Sequence, residues 1–115
     1  MKAEARTFLF DALQAAGLIQ EFCRDKTFEQ YRQDIMLRSA VERQFEIIGE
    51  ALSQLSRLEK SLAARIPDAP RIVAFRNVLI HSYAKVSHTL VWSVVIDDLP
   101  ALIDGVRAVL ESTEE

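Results

Sequence analysis

The sequence predicts an all-α protein, an antiparallel up-down four-helix bundle with one additional short helix. Only three glycines and three prolines occur in its 115 residues, where average usage would give roughly 14 of the two together. Turns must therefore be few, which excludes a β-sandwich or barrel with a turn about every 8 to 12 residues. Apolar residues recur instead at steps of three and four, the spacing of amphipathic helices. Because separate cores arise only above roughly 250 residues, we expect residues 1–115 to form a single domain.

The chain opens with a long helix that is followed by the short one. From Lys2 to Phe22 apolar side chains return every three or four residues, which predicts an amphipathic helix. Thr27 is followed three residues later by Gln30. This is the pattern of a capping box, and it predicts that a short helix opens there and runs through Tyr31.

The second long helix is the clearest element. An apolar stripe with steps of three and four runs from Leu37 to Leu62. One continuous helix over it would be roughly 40 Å long at about 1.5 Å per residue and would form the spine of the bundle. Pro67 and Pro70 then mark the one strong loop in the middle of the chain.

Two further helices complete the predicted bundle. One is expected to start just after Pro70. Ser87 is placed to cap the last long helix. Pro100 should kink or restart that helix, because proline removes a backbone hydrogen bond and clashes with the preceding turn. Trp92, in the same helix, is expected to be a core or interface residue.

Composition excludes several classes of protein. The single cysteine, Cys23, permits neither an intrachain disulfide nor a cysteine-based zinc site, and it favours a reducing cytoplasm. No apolar run approaches the roughly 18 residues needed to span a bilayer, so we expect a cytoplasmic protein without a membrane segment. The spacing of the two histidines and the acidic residues matches no common metal-binding pattern, and we predict neither a metal nor another cofactor.

Charge is distributed unevenly along the chain. The net charge of −3 argues against a protein that coats nucleic acid, because phosphate affinity comes from clustered Lys and Arg. The segment from Arg57 to His88 nevertheless holds six basic and two acidic residues, whereas the chain after Thr89 is acidic. Such an asymmetry could steer an anion to one face. An ordinary solvated surface is an equal alternative.

The groups best suited to chemistry lie close together in one apolar segment. Arg76, Asn77, His81 and Tyr83 supply a permanent cation, a carboxamide, an imidazole and a phenol. Arginine can stabilise a phosphoryl transition state, and histidine exchanges protons near pH 7. Metal-free RNA cleavage needs such a pair. A base takes the proton of the ribose 2′-OH, the oxygen attacks the adjacent phosphate, and an acid protonates the leaving 5′-oxygen, which gives a 2′,3′-cyclic phosphate.

Helix geometry separates the two groups that this reaction needs. Five residues advance a helix by about 500°, so Arg76 and His81 would point roughly 140° apart, about 7.5 Å along the axis. Either the helix ends near Ile80 and His81 swings round, or a second copy of the chain completes the site in a twofold dimer. By spacing alone, a helix-end histidine with an unrelated surface arginine is the commoner explanation.

Three carboxylates form an acidic edge on the long central helix. Glu42, Glu46 and Glu50 are spaced by four residues and therefore share one side of it. If this edge faces the helix of Arg76, either Glu46 or Glu50 could pair with the arginine and position it. A solvated edge beside the core stripe is the other possibility.

The segment Arg76-Asn77-x3-Ile80-His81-x-Tyr83 resembles the R-x4-6-H signature of HEPN domains and, in this fuller form, the HepT-like ribonuclease toxins. The run from Met36 to Ala51 is similar to the long-helix signature of that family, and Gly49 stands in it where two helices can approach closely. Val91-Trp92 and Asp98-Leu99-Pro100 are typical of the last helix. The resemblance implies a HEPN-like helical bundle.

The resemblance also implies roles for single residues. Arg76 and His81 match the ribonuclease pair, and Asn77 matches the polar position that orients the pair or contacts phosphate. Tyr83 matches the tyrosine to which the cognate antitoxin, a minimal nucleotidyltransferase (MNT), transfers AMP. The added phosphate would place negative charge and bulk where the RNA phosphate must bind.

The implied function is that of a metal-independent RNA endonuclease, the toxin of a type VII (HEPN/MNT) toxin–antitoxin module. Its expected partners are RNA, the MNT antitoxin and a second copy of the chain that completes a composite site. The alternative is a non-catalytic subunit that binds a substrate or nucleotide for a two-component nucleotidyltransferase. The two functions differ in whether His81 transfers protons.

Overall fold

The computed structural model describes residues 1–82 and 86–112, and every regular element in these two ranges is helical. The predicted all-α class is therefore confirmed. None of the described helices is long and apolar enough to cross a membrane. In chain order the elements are α1 (Ala3–Cys23), α2 (Phe28–Gln33), α3 (Ile35–Leu58), α4 (Lys60–Ala63), α5 (Ala69–Ser82), α6 (His88–Ser93), a π-helical segment (Val94–Asp98) and α7 (Leu99–Ser112).

Four members make up the bundle: α1, α3, α5 and the continuous run from α6 to α7. The backbone N–H of Lys2, before α1, donates to Oε2 of Glu59 just beyond the end of α3, at 3.1 Å. Nη2 of Arg65, in the connection that leads to α5, donates to Oγ of Ser112 at the end of α7. The start of α1 therefore lies beside the end of α3, and the start of α5 beside the end of α7. Neighbouring members run in opposite directions, which is the predicted up-down arrangement.

One hydrophobic cluster, drawn from all four members, forms the core. Its largest fully buried side chains include Leu9 of α1, Phe45 of α3, Ile72 of α5 and Leu102 of α7. Trp92 of α6 is half-buried against this cluster. The helical spacing of apolar residues thus reports the face that each helix buries.

Two of the predicted caps are confirmed. Oγ1 of Thr27 accepts a hydrogen bond from the backbone N–H of Gln30 at 3.1 Å, and the N–H of Thr27 donates to Oε1 of Gln30 at 2.9 Å. Ser87 caps α6 in the same manner, because its Oγ accepts from the backbone N–H of Leu90 at 3.1 Å. Each cap satisfies backbone donors that the first helical turn leaves unpaired.

The long central helix is shorter than its apolar stripe predicts. The helix ends at Leu58, where Glu59 leaves the helical conformation with φ −142° and ψ 84°. Leu62 is buried from the separate short helix α4. The stripe continues across the break because both segments face the same core. The next helix, α5, starts at Ala69 and so includes Pro70 in its first turn, where a missing N–H breaks no helical hydrogen bond.

Pro100 is preceded by a widened turn of helix. The π-helical segment covers Val94–Asp98, and the N–H of Leu99 bonds to the carbonyl of Val94, five residues back. Pro100 is then the second residue of α7. The wider turn accommodates a residue that donates no hydrogen bond and crowds the turn before it. The predicted interruption is therefore present, as a π-helical turn within a continuous run.

Candidate active site

Arg76 packs directly against α3 at Gly49, a residue that has no side chain. Its own side chain is only 16% exposed. A Cβ built on Gly49 of α3 would lie 2.3 Å from Cβ and 2.5 Å from Cγ of Arg76, closer than such atoms can approach. Only glycine at position 49 therefore lets the stem of Arg76 lie directly on the backbone of α3. The close approach predicted at Gly49 is confirmed.

A pair of aromatic rings clamps α3 to α5 beside this contact. Phe45 and Phe75 are both buried, with ring centroids 5.1 Å apart and ring planes at 86°. Edge-to-face pairs of this kind contribute about 0.5–1.5 kcal/mol beyond the burial of their area. Because Phe75 directly precedes Arg76, the clamp fixes the rotation of α5 about its axis and thereby the direction of the arginine.

The guanidinium of Arg76 pairs with one carboxylate of the acidic edge. Its Nη1 lies 3.4 Å from Oε1 of Glu50, which is 53% exposed. Its Nε is buried and has no hydrogen-bond partner among the described residues. Of the two candidates for this pairing, Glu50 is therefore the one in contact with the arginine.

The other candidate, Glu46, contacts a different arginine. Its Oε1 lies 3.4 Å from Nη1 of Arg43. Residues three positions apart lie side by side on a helix, so Arg43 and Glu46 are neighbours within α3. Of the two alternatives, the pair observed with Arg76 is therefore the one with Glu50.

His81 lies in the last turn of α5 with its side chain exposed. The helix continues through Ser82, so it does not end near Ile80 as one of the two sequence-based alternatives required. Arg76 and His81 thus stay on one helix, pointing roughly 140° apart and displaced by about 7.5 Å along the axis. With this ideal geometry the two side chains leave α5 in different directions. Tyr83 lies outside the described residues.

Asn77 is exposed and belongs to the His81 side of α5. A separation of four residues places Asn77 and His81 about 40° apart on the helix surface. Asn77 also lines a groove of about 610 Å³ between α3, α4 and α5, at whose far end lie Arg57 and Lys60. These two cations were not identified as site residues from the sequence, although the basic excess after Arg57 was the signal that pointed to them.

A smaller groove of about 200 Å³ lies between α1 and α3. Asp11, Glu46 and Glu50 line it together with a single cation, Arg43. Glu50 both lines this acidic groove and binds Arg76. Arg76 therefore lies near two grooves of opposite charge, this acidic one and the larger one lined by Arg57 and Lys60.

Cys23 and His88 lie away from these residues. Cys23, at the end of α1, is half-buried, and burial raises the pKa of its thiol to about 11. The rings of His88 and Tyr31 are nearly perpendicular, with centroids 6.4 Å apart. Among the described residues, His, Cys, Asp and Glu side chains form no group of three that could hold a metal ion.

Comparison with known proteins identifies relatives along most of the chain. A family model described as "Ribonuclease HepT-like" matches residues 12–109. The chain is 36% identical over 102 residues to the probable ribonuclease HepT of Thermococcus cleftensis, with 89% of this chain and 92% of that protein covered. It is 33% identical over 110 residues to a candidate RNase of Methanocaldococcus jannaschii, with 94% of this chain and 98% of that protein covered.

A bacterial relative, a candidate RNase of Caldanaerobacter subterraneus subsp. tengcongensis, is 29% identical over 106 residues, covering 92% of this chain and 94% of that protein. No solved structure matches the chain. The helical bundle and the match over residues 12–109 agree with one another. On these grounds the chain belongs to the HepT-like ribonuclease family.

Proposed function

We propose that this protein is a metal-independent RNA endonuclease and the toxin of a type VII (HEPN/MNT) toxin–antitoxin module. The observation that carries the proposal is the state of the two candidate catalytic residues on α5. The stem of Arg76 packs on Gly49 and its guanidinium pairs with Glu50, whereas His81 is exposed at the helix end. Positioning a charge in advance and leaving a proton carrier accessible are the two requirements of this chemistry.

In the proposed reaction one P–O bond forms, to the 2′-oxygen, and one P–O bond breaks, to the 5′-oxygen. A neutral His81 imidazole takes the proton of the ribose 2′-OH, and the oxygen attacks the adjacent phosphorus. The guanidinium of Arg76 stabilises the charge that develops on the phosphoryl oxygens. A protonated imidazole gives its proton to the leaving 5′-oxygen. The products are a 2′,3′-cyclic phosphate and a 5′-hydroxyl.

A second copy of the chain supplies what one copy lacks. Arg76 and His81 diverge on α5, and the reaction needs one histidine as base and another as acid. A twofold dimer brings two arginines and two histidines into one cleft. We therefore propose a homodimer with a composite site.

The nuclease proposal is tested with RNA in the presence of EDTA. Wild type should cut the RNA and leave cyclic phosphate ends, while Arg76→Ala and His81→Ala should each lose most of the cleavage. Matched preparations of all three proteins exclude a copurifying nuclease. Equal residual cleavage by wild type and both variants would end the nuclease proposal.

Tyr83 is the proposed site of neutralisation. An MNT-type nucleotidyltransferase would transfer AMP to its hydroxyl, and the added phosphate would repel RNA near His81. Incubation with ATP and such a partner enzyme should raise the mass of wild type by one AMP group. The variant Tyr83→Phe should keep its mass, and an unchanged wild-type mass would remove this part of the proposal.

A second function is favoured by the acidic groove beside Arg76. Asp11, Glu46 and Glu50 repel a polyanion on that side. A non-catalytic subunit of a two-component nucleotidyltransferase could tolerate this repulsion, because it would not bind RNA for cleavage. Such a subunit would bind a substrate or nucleotide without cutting RNA. Expression in a bacterial host separates the two functions: a nuclease toxin arrests growth and its His81→Ala variant does not, whereas a binding subunit leaves growth unchanged in both forms.

A further inference from the structure

We infer that the groove of about 610 Å³ between α3, α4 and α5 binds the RNA nucleotides that flank the cleaved phosphate on one side. We call it the flanking groove. This inference rests on the proposed nuclease function and adds to it the path of the substrate. Its volume lies within the range of about 300–1,000 Å³ typical of ligand sites.

The flanking groove leads along α5 to the proposed catalytic histidine. Pro70, Ala74 and Asn77 line it, and His81 continues the same series, since steps of four, three and four residues stay on one helix face. The groove covers about 10 Å of helix from Pro70 to Asn77, and His81 lies about 6 Å beyond. A strand whose phosphate is at His81 therefore runs directly into the groove.

The lining of the groove matches the chemistry of a single RNA strand. Its apolar side chains can contact the flat faces of bases, and Ser53 and Ser56 offer hydroxyl groups to base edges or ribose. Arg57 and Lys60 supply two cations for phosphates, and none of the described residues that line the groove is acidic. A positively charged groove that follows the backbone is a usual feature of proteins that hold single strands. The apolar lining includes Leu52, Ala63, Val73 and Ala74.

The opposite side of the site directs RNA into this groove. The smaller groove next to Glu50 carries three carboxylates and one arginine, so a phosphate chain is repelled there. A second copy of the chain is a poor occupant of the flanking groove. A twofold contact through it would bring Arg57 and Lys60 of both copies together, without a lining carboxylate to compensate.

The test compares two double variants that remove the same charge. Arg57→Gln with Lys60→Gln removes the two groove cations, and Lys26→Gln with Arg107→Gln removes two exposed cations elsewhere. Binding of a fluorescent single-stranded RNA of about a dozen nucleotides is measured in a His81→Ala background at several salt concentrations. Cleavage of this RNA and of a dinucleotide is measured with His81 intact. Circular dichroism and native mass check folding and assembly.

The groove variant should bind the longer RNA about tenfold more weakly than the control variant. Its slope of log affinity against log salt should be smaller by about 1 to 1.5, as expected for two lost phosphate contacts. Dinucleotide cleavage should stay within about twofold of the control, because a single phosphate does not reach Arg57 or Lys60.

Each contrary result has one meaning. If wild type cuts RNA and the two double variants bind equally well with equal slopes, the flanking groove is not the RNA path and the nuclease proposal stands. If RNA binding depends on the groove but wild type cuts neither RNA, the nuclease proposal fails, and the groove is an RNA-binding surface without a cleaved phosphate beside it. If the groove variant turns a dimer into a monomer, the groove is an interface between copies and the inference is overturned.

Discussion

Gly49 and Arg76 are in direct contact across the interface of α3 and α5, so closely that a methyl group at position 49 would overlap the arginine stem at 2.3 Å. The packing of α3 against α5 therefore also determines where Arg76 lies in the proposed active site. Any change that separates the two helices also moves the guanidinium away from Glu50.

Replacement of Gly49 by alanine should destabilise the protein and reduce cleavage. The overlap involves Cγ of Arg76 and also its Cβ, which cannot move without the helix. Overpacking of this kind costs about 1–3 kcal/mol, which exceeds the gain of up to about 1 kcal/mol from helix propensity. Urea unfolding should show the loss, and RNA cleavage should fall about tenfold or more because the arginine is displaced.

Gly17→Ala is the matched control. A Cβ at Gly17, on the exposed side of α1, would meet nothing within 4 Å among the described residues. Stability should rise by up to about 1 kcal/mol, and cleavage should not change. Equal effects of the two substitutions would show that close packing at Gly49 has no role in positioning Arg76.

Glu50→Gln should reduce cleavage with little effect on stability. The substitution removes the ion pair with Arg76, whose partner atoms are 3.4 Å apart. Because Glu50 is half-exposed, the free energy of unfolding should change by less than about 0.5 kcal/mol. Turnover of RNA should fall because the guanidinium loses the group that orients it.

The control for this prediction is Glu46→Gln, which breaks the pair with Arg43 and leaves Glu50 in place. It should retain wild-type cleavage. Loss of cleavage in the Glu46 variant alone would mean that Glu46, and not Glu50, positions the arginine.

Mixing wild-type and His81→Ala proteins should lower activity by more than dilution does. In a cleft that uses one histidine as base and the other as acid, a mixed dimer holds a single His81 and should be inactive. Random exchange of equal amounts should leave about a quarter of the dimers active, instead of the half expected without exchange, so cleavage should fall about twofold on exchange. Native mass spectrometry verifies that mixed dimers form. Cleavage that does not fall when they form would mean that one histidine per cleft is sufficient.

Alkaline pH should destabilise the fold through two groups near the end of α1. Burial raises the pKa of Cys23 from 9.0 to about 11 and raises that of Tyr31 above its usual 10.0. The unfolded chain releases these protons at lower pH than the native protein, so stability falls as pH rises above 9. For half-buried Cys23 the loss should be roughly 1 kcal/mol by pH 11.

Tyr31→Phe separates the contribution of the phenol. Its buried Oη has no hydrogen-bond partner among the described residues, so the substitution should leave stability at neutral pH unchanged or raise it. The decline above pH 10 should become shallower. An unchanged decline in urea unfolding measured across this pH range would contradict the assignment to Tyr31.

Local patterns predicted much of the fold. The capping box at Thr27, the cap at Ser87 and the interruption before Pro100 follow from hydrogen bonds and sterics within a few residues, and each is present. The apolar stripe through Leu62 was a weaker guide, because a stripe records burial and not backbone continuity. The break at Glu59 keeps Leu62 in the core while ending α3.

The sequence by itself determined the helical class and the bundle, because periodicity, caps and spacing are local properties of the chain. Tertiary structure alone decided that Glu50, and not Glu46, meets Arg76. It also decided that Arg57 and Lys60 border the same groove as Asn77. These relationships depend on how α3, α4 and α5 are rotated and spaced against one another. For α3 and α5 this arrangement is set by the packing of Phe45 on Phe75 and of Arg76 on Gly49.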